Sequence, residues 1–111
     1  MPAPDPNAPG ELTGGFPTLP VPPAALVTGG ARRIGRALVL ALAEAGCAVA
    51  IHHHRSGAEA DVLVSEIAQA GGKAVALAAD LADEAAVTSL LPQAIAALGP
   101  VGILVNNASI F

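Results

Sequence analysis

Glycine and arginine residues between positions 28 and 35 form the segment of this sequence best suited to bind an anion. The stretch reads TGGARRIG, and it lies between a short apolar run and a segment with helical periodicity. A strand that enters a helix through glycines leaves backbone N–H groups unpaired near the positive end of the helix dipole, where a phosphate can bind. A tight turn without any ligand is the alternative interpretation.

A second polar stretch, HHHRS at residues 52–56, indicates which phosphate ligand the site would accept. At this point, just after the second predicted strand, Asp or Glu usually binds free ribose hydroxyls, whereas a cation and small donors bind a ribose 2′-phosphate. Arg55 can form paired hydrogen bonds to a phosphate, and Ser56 can donate another. The nearest following acid is Glu59. The stretch therefore favours NADPH over NADH.

Three consecutive histidines, His52 to His54, also raise the possibility of a metal site. His52 and His54 would share one face of a strand, but no third ligand of a suitable type lies nearby in the sequence. We therefore predict no metal site. His53 would point to the opposite face, and we expect it to be a solvated polar residue at the end of the strand.

Apolar patterning from residue 24 onward predicts alternating strands and helices, which is typical of parallel β-α-β units. The predicted strands cover residues 24–28, 47–52, 73–79 and 101–109. The first predicted helix runs up to Gly46, with an apolar face of Ile34, Leu38, Ala41, Leu42 and Ala45. A second helix is predicted over residues 58–70, with Leu63, Ile67 and Ala70 on one face.

The third predicted helix begins near Asp83, a good N-cap residue, and carries the clearest apolar stripe in the chain. Pro92 lies within that stripe and removes a backbone hydrogen bond, so we predict a kink or a break there. Together the elements predict an α/β fold, the N-terminal part of a Rossmann-type doubly wound sheet with strand order 3-2-1-4. The polar stretches 28–36, 52–56, 80–81 and 106–109 would then meet at one edge of the sheet.

Composition limits the remaining possibilities for this 111-residue chain. Eight of the ten prolines fall within residues 1–23, which we predict to be a flexible leader, leaving residues 24–111 as the single domain. Cys47, the only cysteine, excludes an internal disulfide and is expected in the core. A net charge of −4 argues against a nucleic-acid partner. Because neither a secretion signal nor a membrane span is evident, we expect a cytoplasmic protein without a membrane partner.

The motifs TGGARRIG, HHHRS, ADL at 79–81 and NNAS at 106–109 together resemble the short-chain dehydrogenase/reductase family, in order and in spacing. The resemblance extends from about Ala24 to the last residue. The usual loop of that family is T-G-x-x-x-G-x-G, and Arg33 replaces its middle glycine here. This departure, with HRS after the second strand and NNAS after the fourth, resembles the pteridine reductase branch, which uses NADPH.

The resemblance implies a role for each matching residue. The pyrophosphate loop would comprise Gly29, Arg32, Arg33, Ile34 and Gly35, and the 2′-phosphate would be held by His54, Arg55 and Ser56. Asp80 and Leu81 would contact the adenine, Asn107, Ala108 and Ser109 would line the ribose and nicotinamide, and Phe111 would stack on a pterin substrate. From the residues alone, Phe111 could equally pack in the core, and Asn106 and Asn107 could serve only to satisfy backbone groups at the strand end.

The family's catalytic Tyr-x-x-x-Lys pair has no counterpart, because the chain contains no tyrosine and its only lysine, Lys73, begins the third predicted strand. We therefore assign no catalytic residue. The resemblance implies the cofactor-binding half of a reductase that acts on a carbonyl or a pterin C=N as its small-molecule substrate, inactive alone and homo-oligomeric, a dimer or tetramer, when complete. A non-catalytic dinucleotide-binding module or partner subunit is the alternative. A P-loop protein is disfavoured because G-K-[ST] is absent.

The truncated sheet that this resemblance implies would leave the fourth strand as an unpaired edge. With 53% apolar residues in the chain, uncovered apolar surface would remain beside that edge. We therefore expect the isolated chain to be unstable or to aggregate.

Overall fold

The computed structural model describes residues 22–108 and contains four strands and three helices in strict alternation. In chain order they are β1 (Ala24–Thr28), α1 (Arg33–Glu44), β2 (Val49–His53), α2 (Gly57–Gln69), β3 (Ala74–Ala78), α3 (Glu84–Leu98) and β4 (Val101–Asn106). Every predicted element is present, although β2 begins two residues later than predicted and β4 ends at Asn106. Most of the predicted leader, together with Ser109 and Phe111, lies outside the described residues, so what we expect of them stays a prediction.

The four strands form one parallel sheet in the order β3-β2-β1-β4, which confirms the predicted order and the Rossmann-type fold. Val27 of β1 is aligned with Ile51 on one side and with Val105 on the other. Because all strands run the same way, their carboxyl ends share one edge, which is where ligands bind in open α/β sheets.

Two apolar clusters cover the two faces of the sheet. On one face, Val27 and Ile51 pack with Val39 of α1 and Leu63 of α2. On the other, the alternate strand residues Leu26 and Ala50 pack with Leu90 and Ala94 of α3. Successive strand side chains point to opposite faces, and this explains why strands buried on both sides are almost wholly apolar.

The predicted apolar face of α1 is wrong in part: Leu42 packs against the core, but Ile34, Ala41 and Ala45 are exposed. Gly35 and Val39 are the residues buried in the helix, whereas Ile34 is 71% exposed. The rotation follows from the start of the helix, where Gly35 packs directly against the backbone of Gly29. Periodicity could not reveal this contact, because a glycine contributes nothing to an apolar pattern.

Helix α3 begins as predicted at Asp83, whose carboxylate Oδ1 accepts hydrogen bonds from the backbone N–H groups of Ala85 and Ala86 at 3.0 and 3.4 Å. Of the kink or break predicted at Pro92, a break does not occur, because the helix continues to Leu98. Pro92 lies on the exposed side of α3. There the Thr88 carbonyl that loses its helical partner can be hydrated by solvent, which lowers the cost of the proline.

The apolar stripe of α3 is only partly covered. Leu90 and Ala94 are buried, but Val87, Leu91 and Ile95 are each more than 40% exposed. Leu104 of β4 is 64% exposed, and its alignment with Leu26 puts it on the same side of the sheet as α3. This side of the fold therefore carries uncovered apolar side chains. None of the helices in residues 22–108 combines the length and apolarity that crossing a membrane requires.

Candidate functional site

The carboxyl ends of the strands border an open groove of about 900 Å³, a volume within the range of small-molecule sites. It is lined by the loop after β1 and by the segments after β2, β3 and β4. All the described residues with predicted cofactor roles except Gly35 line it: Gly29, Arg32, Arg33, Ile34, His54, Arg55, Ser56, Asp80, Leu81, Asn107 and Ala108. The four polar stretches therefore meet at one edge, as the predicted strand order requires.

Thr28 joins the ends of β1 and β4 beneath this groove. Its Oγ1 accepts hydrogen bonds from the backbone N–H groups of Asn107 at 2.9 Å and Ala108 at 3.1 Å. The same hydroxyl lies 3.2 Å from Oδ1 of Asn106, to which it can donate. One buried hydroxyl thus fixes the segment that follows β4, a positioning role that the sequence analysis did not assign to Thr28.

Gly29 and Gly35 allow the loop after β1 to pack tightly against the start of α1. A Cβ atom on Gly35 would collide with the Gly29 carbonyl oxygen and would lie 2.6 Å from Nδ2 of Asn107. That same Nδ2 donates a hydrogen bond to the Gly29 carbonyl at 3.1 Å. Gly35 therefore supports the loop from below without lining the groove, which matches the role of the last glycine in dinucleotide-binding loops.

Arg33 adopts a left-handed backbone conformation, with φ of +54°. This is the position where the family loop has its middle glycine, a residue that reaches such angles without strain. For a residue with a Cβ the conformation costs about 1–2 kcal/mol. Backbone strain of this kind is found most often at ligand sites.

The first turn of α1 faces the groove with free hydrogen-bond donors. Within residues 22–108, no side chain caps the start of the helix, and its N-cap is Arg32 in an extended conformation. The N–H groups of the first turn therefore have no helical partner. Together with the cationic side chains of Arg32 and Arg33, they make this end of the groove attractive to a phosphate.

The end of β2 supplies the polar groups at the opposite end of the groove. His54 and Arg55 are exposed, and Ser56 is half-buried immediately before α2. Nε2 of His54 lies 3.9 Å from Oδ2 of Asp80, whose other oxygen accepts a hydrogen bond from the Ala82 N–H at 2.9 Å. Asp80 is therefore held beside His54. Within residues 22–108, Arg55 has no carboxylate within salt-bridge distance.

His52 is 2% exposed and uses both ring nitrogens. Nδ1 accepts a hydrogen bond from the Gly29 N–H at 3.0 Å, and Nε2 lies 2.8 Å from the Ala79 carbonyl. Burial, opposed in part by the bond to Ala79, lowers the pKa of His52, and the nearby His53 and His54 act in the same direction. The sequence analysis considered His52 only as a metal ligand and missed this connection.

The histidine run does not form a metal site in the described segment. No group of three or more His, Cys, Asp or Glu side chains that could hold a metal ion occurs among residues 22–108. His53, which we expected to be solvated, is half-buried: it lines the groove, and its ring lies near Gly57 at the start of α2. Its Nδ1 is buried without a hydrogen-bond partner in the described residues.

Known protein sequences match this chain over most of its length. The family model described as "short chain dehydrogenase" matches residues 23–111. A short-chain dehydrogenase/reductase homolog, YusS of Bacillus subtilis, is 44% identical over 86 residues, which cover 78% of this chain and 79% of that protein. Several other curated oxidoreductases are matched over only 35% of their length.

Solved structures are also similar to this chain in sequence and in fold. FolM alternative dihydrofolate reductase 1 from Brucella canis, complexed with NADP, is 48% identical with a TM-score of 0.76; the match covers 79% of this chain and 35% of that one. A blue fluorescent protein from a metagenomic library, in complex with NADPH, is 47% identical with a TM-score of 0.77 and is covered to 36%. The chain thus spans about 35% of the length of these structures.

Proposed function

This chain belongs to the short-chain dehydrogenase family, and we propose that it forms the NADPH-binding part of a reductase. The observation that carries the proposal is the groove itself. Its glycine-rich loop and the uncapped start of α1 lie at one end, and Arg55 and Ser56 lie at the other. The first end offers the donors that the pyrophosphate of NADPH requires, and the second offers those that its 2′-phosphate requires.

The residues present fit this cofactor. The pyrophosphate would be bound by the N–H groups at the start of α1, next to Arg32 and Arg33. The 2′-phosphate would be bound by Arg55 and Ser56, with His54 beside them. The carboxylate that would repel this phosphate most directly, Asp80, is held by Ala82 and lies near His54. The NADP and NADPH complexes of the two similar structures support the same choice of cofactor.

When bound, the dihydronicotinamide would supply the hydride that reduces a carbonyl or a pterin C=N. The contribution of this chain is to bind and orient the cofactor: Asn107 and Ala108 line the groove at the end of β4, where the resemblance puts the ribose and nicotinamide. The 111 residues contain no tyrosine, so they lack the proton donor that the family resemblance calls for. We therefore expect no turnover from these residues by themselves.

We propose a pterin as the substrate class of the complete enzyme, which we expect to be a homo-oligomer. Arg33 in place of the middle glycine, and the HRS and NNAS motifs, carry this proposal. The similarity to a structure described as an alternative dihydrofolate reductase supports it. An assay of the natural full-length protein with pterins and with simple carbonyl compounds would test it. Reduction of carbonyl compounds with no detectable reduction of any pterin would contradict it.

The cofactor proposal is tested by replacing Arg55 with Gln and measuring the Kd of NADPH and NADH by fluorescence titration. Loss of a charge-assisted contact to the 2′-phosphate should weaken NADPH binding about 10-fold or more and leave NADH binding unchanged. Arg36→Gln is the matched control: Arg36 is a partly exposed arginine that pairs with Glu66 at 2.7 Å and does not line the groove.

The ratio of the two affinities decides the outcome. A wild-type protein that binds NADH as tightly as NADPH would contradict the proposed 2′-phosphate site. An Arg55→Gln variant that weakens both cofactors equally would show that Arg55 does not discriminate between them. Binding of NADPH by the 111 residues, with no turnover of any substrate by the natural full-length protein either, would favour the alternative of a non-catalytic dinucleotide-binding module.

A further inference from the structure

We infer that His52 is a positioning residue for the dinucleotide: its neutral ring holds the glycine-rich loop in its binding conformation, and protonation of that ring releases the loop and weakens cofactor binding. The inference rests on the proposed function, because it concerns the same groove. His52 itself need not touch the cofactor. It acts through the backbone of Gly29.

The contacts of His52 connect three of the four strand ends. From the end of β2, its ring reaches Gly29 after β1 through Nδ1 and Ala79 after β3 through Nε2. Its own carbonyl accepts a hydrogen bond from the Gly30 N–H at 3.0 Å. Two consecutive amides of the loop are therefore bonded to one residue, and the loop residues that follow line the groove.

The protonation state of the ring follows from its partners. A backbone N–H can only donate, so Nδ1 must be an unprotonated acceptor for Gly29. A carbonyl can only accept, so Nε2 must carry the hydrogen that it donates to Ala79. This arrangement requires the neutral ring with its proton on Nε2. A second proton, on Nδ1, would place an N–H donor of the ring opposite the N–H donor of Gly29 and break that hydrogen bond.

Burial lowers the pKa of His52, so the neutral ring predominates at neutral pH and is lost only below the ordinary histidine range. The charged or titratable side chains that line the same groove are Arg32, Arg33, His53, His54, Arg55 and Asp80. Because the folded protein binds this proton less readily than the unfolded chain, stability falls as pH drops below about 6.5 and rises again with pH. Cofactor affinity should fall at still lower pH, where the folded protein itself takes up this proton.

Two substitutions of His52 separate its two contacts. Asn offers an oxygen near the position of Nδ1 and can still accept from Gly29, but it cannot reach Ala79. Gln offers an amide near the position of Nε2 and can still donate to Ala79, but it leaves the Gly29 N–H without an acceptor. If the loop contact matters, His52→Gln should lose cofactor affinity and His52→Asn should largely rescue it.

The measurements use the natural full-length protein with NADPH and NADH as probes. His52→Gln should weaken both cofactors about 10-fold, the effect of losing one hydrogen bond to the loop, with their ratio unchanged. Hydrogen exchange at the Gly29 amide, measured without cofactor, should be faster in His52→Gln than in His52→Asn. A change in the ratio of NADPH to NADH affinity is expected from substitution of Arg55 and not from substitution of His52.

The pH dependence is measured with NADH, which has no 2′-phosphate to titrate, in a His54→Gln background that removes one of the two neighbouring imidazoles and keeps His53 in both proteins that are compared. As the pH is lowered below about 6.5, NADH affinity should fall in the protein with His52 and stay nearly constant with His52→Asn. This comparison of wild type with His52→Asn, and the hydrogen exchange of the Gly29 amide in the wild type, can both be measured even if His52→Gln does not fold.

Either of two results would overturn the role of His52. The first is equal cofactor affinity in His52→Gln and His52→Asn; the second is an acid loss of NADH affinity that His52→Asn leaves intact. A wild-type protein that binds neither cofactor, while Gly29 exchange still depends on residue 52, would contradict the proposed function instead.

Discussion

Replacing Gly35 with Ala tests whether close packing of α1 against the loop after β1 is what shapes the groove. The added Cβ would overlap the Gly29 carbonyl oxygen and crowd Nδ2 of Asn107 at 2.6 Å. The carbonyl oxygen of Gly29 is a backbone atom, so it cannot rotate away from the added Cβ. Either α1 or the loop must therefore move. The same movement would strain the 3.1 Å hydrogen bond from Asn107 to Gly29.

The size of the effect follows from these two contacts. Overpacking a well-filled interior costs about 1–3 kcal/mol, and loss of one hydrogen bond costs about 1 kcal/mol more. Better helix propensity of Ala returns about 1 kcal/mol. We therefore expect Gly35→Ala to lower the free energy of unfolding by about 1–3 kcal/mol. The displaced loop should also weaken NADPH and NADH binding alike, because both share the pyrophosphate.

Gly57→Ala provides a matched control within the same sheet edge. A Cβ on Gly57, the first residue of α2, would lie 3.5 Å from Cε1 of His53, an ordinary contact. This substitution should be neutral or stabilising by up to about 1 kcal/mol. Urea unfolding at equilibrium compares the two variants of the natural full-length protein, and a fluorescence titration measures their cofactor affinities.

An equal urea midpoint for Gly35→Ala and the wild type, with normal binding of both cofactors, would contradict this prediction. That result would mean that α1 can shift without disturbing the loop. A loss of stability with unchanged cofactor affinity would refute only the second step, the link between helix packing and the shape of the groove.

Two further predictions concern other parts of the fold. Thr28→Val should cost about 1–3 kcal/mol, because it leaves the N–H groups of Asn107 and Ala108 without their acceptor, whereas Thr28→Ser should retain most of the stability in the same urea assay. The isolated 111-residue chain should self-associate through its exposed apolar side chains, and Leu91→Glu should reduce this in sedimentation velocity. A monomeric wild-type chain with a sharp, reversible thermal transition in circular dichroism would contradict it.

The sequence by itself determined the element order, the strand order and the edge at which the polar residues meet. Each strand is short and mostly apolar, polar or glycine residues lie at or near its carboxyl end, and the segments between the strands have helical periodicity. The rules for parallel β-α-β units then leave few topologies, and one of them brings residues 28–36 and 52–56 together. The N-cap of α3 at Asp83 was equally local, because the side chain bonds to N–H groups within its own first turn.

Contacts between distant backbone atoms were decided only by the tertiary structure. The buried face of α1 depends on Gly35 meeting Gly29, and the roles of Thr28 and His52 depend on partners about 80 and 23 to 27 residues away. Such partners are backbone amides and carbonyls, which every residue carries, so no residue type in the sequence marks them. Pro92 likewise remained within α3 because its position on the exposed side, set by how the helix packs, lets water reach the freed carbonyl.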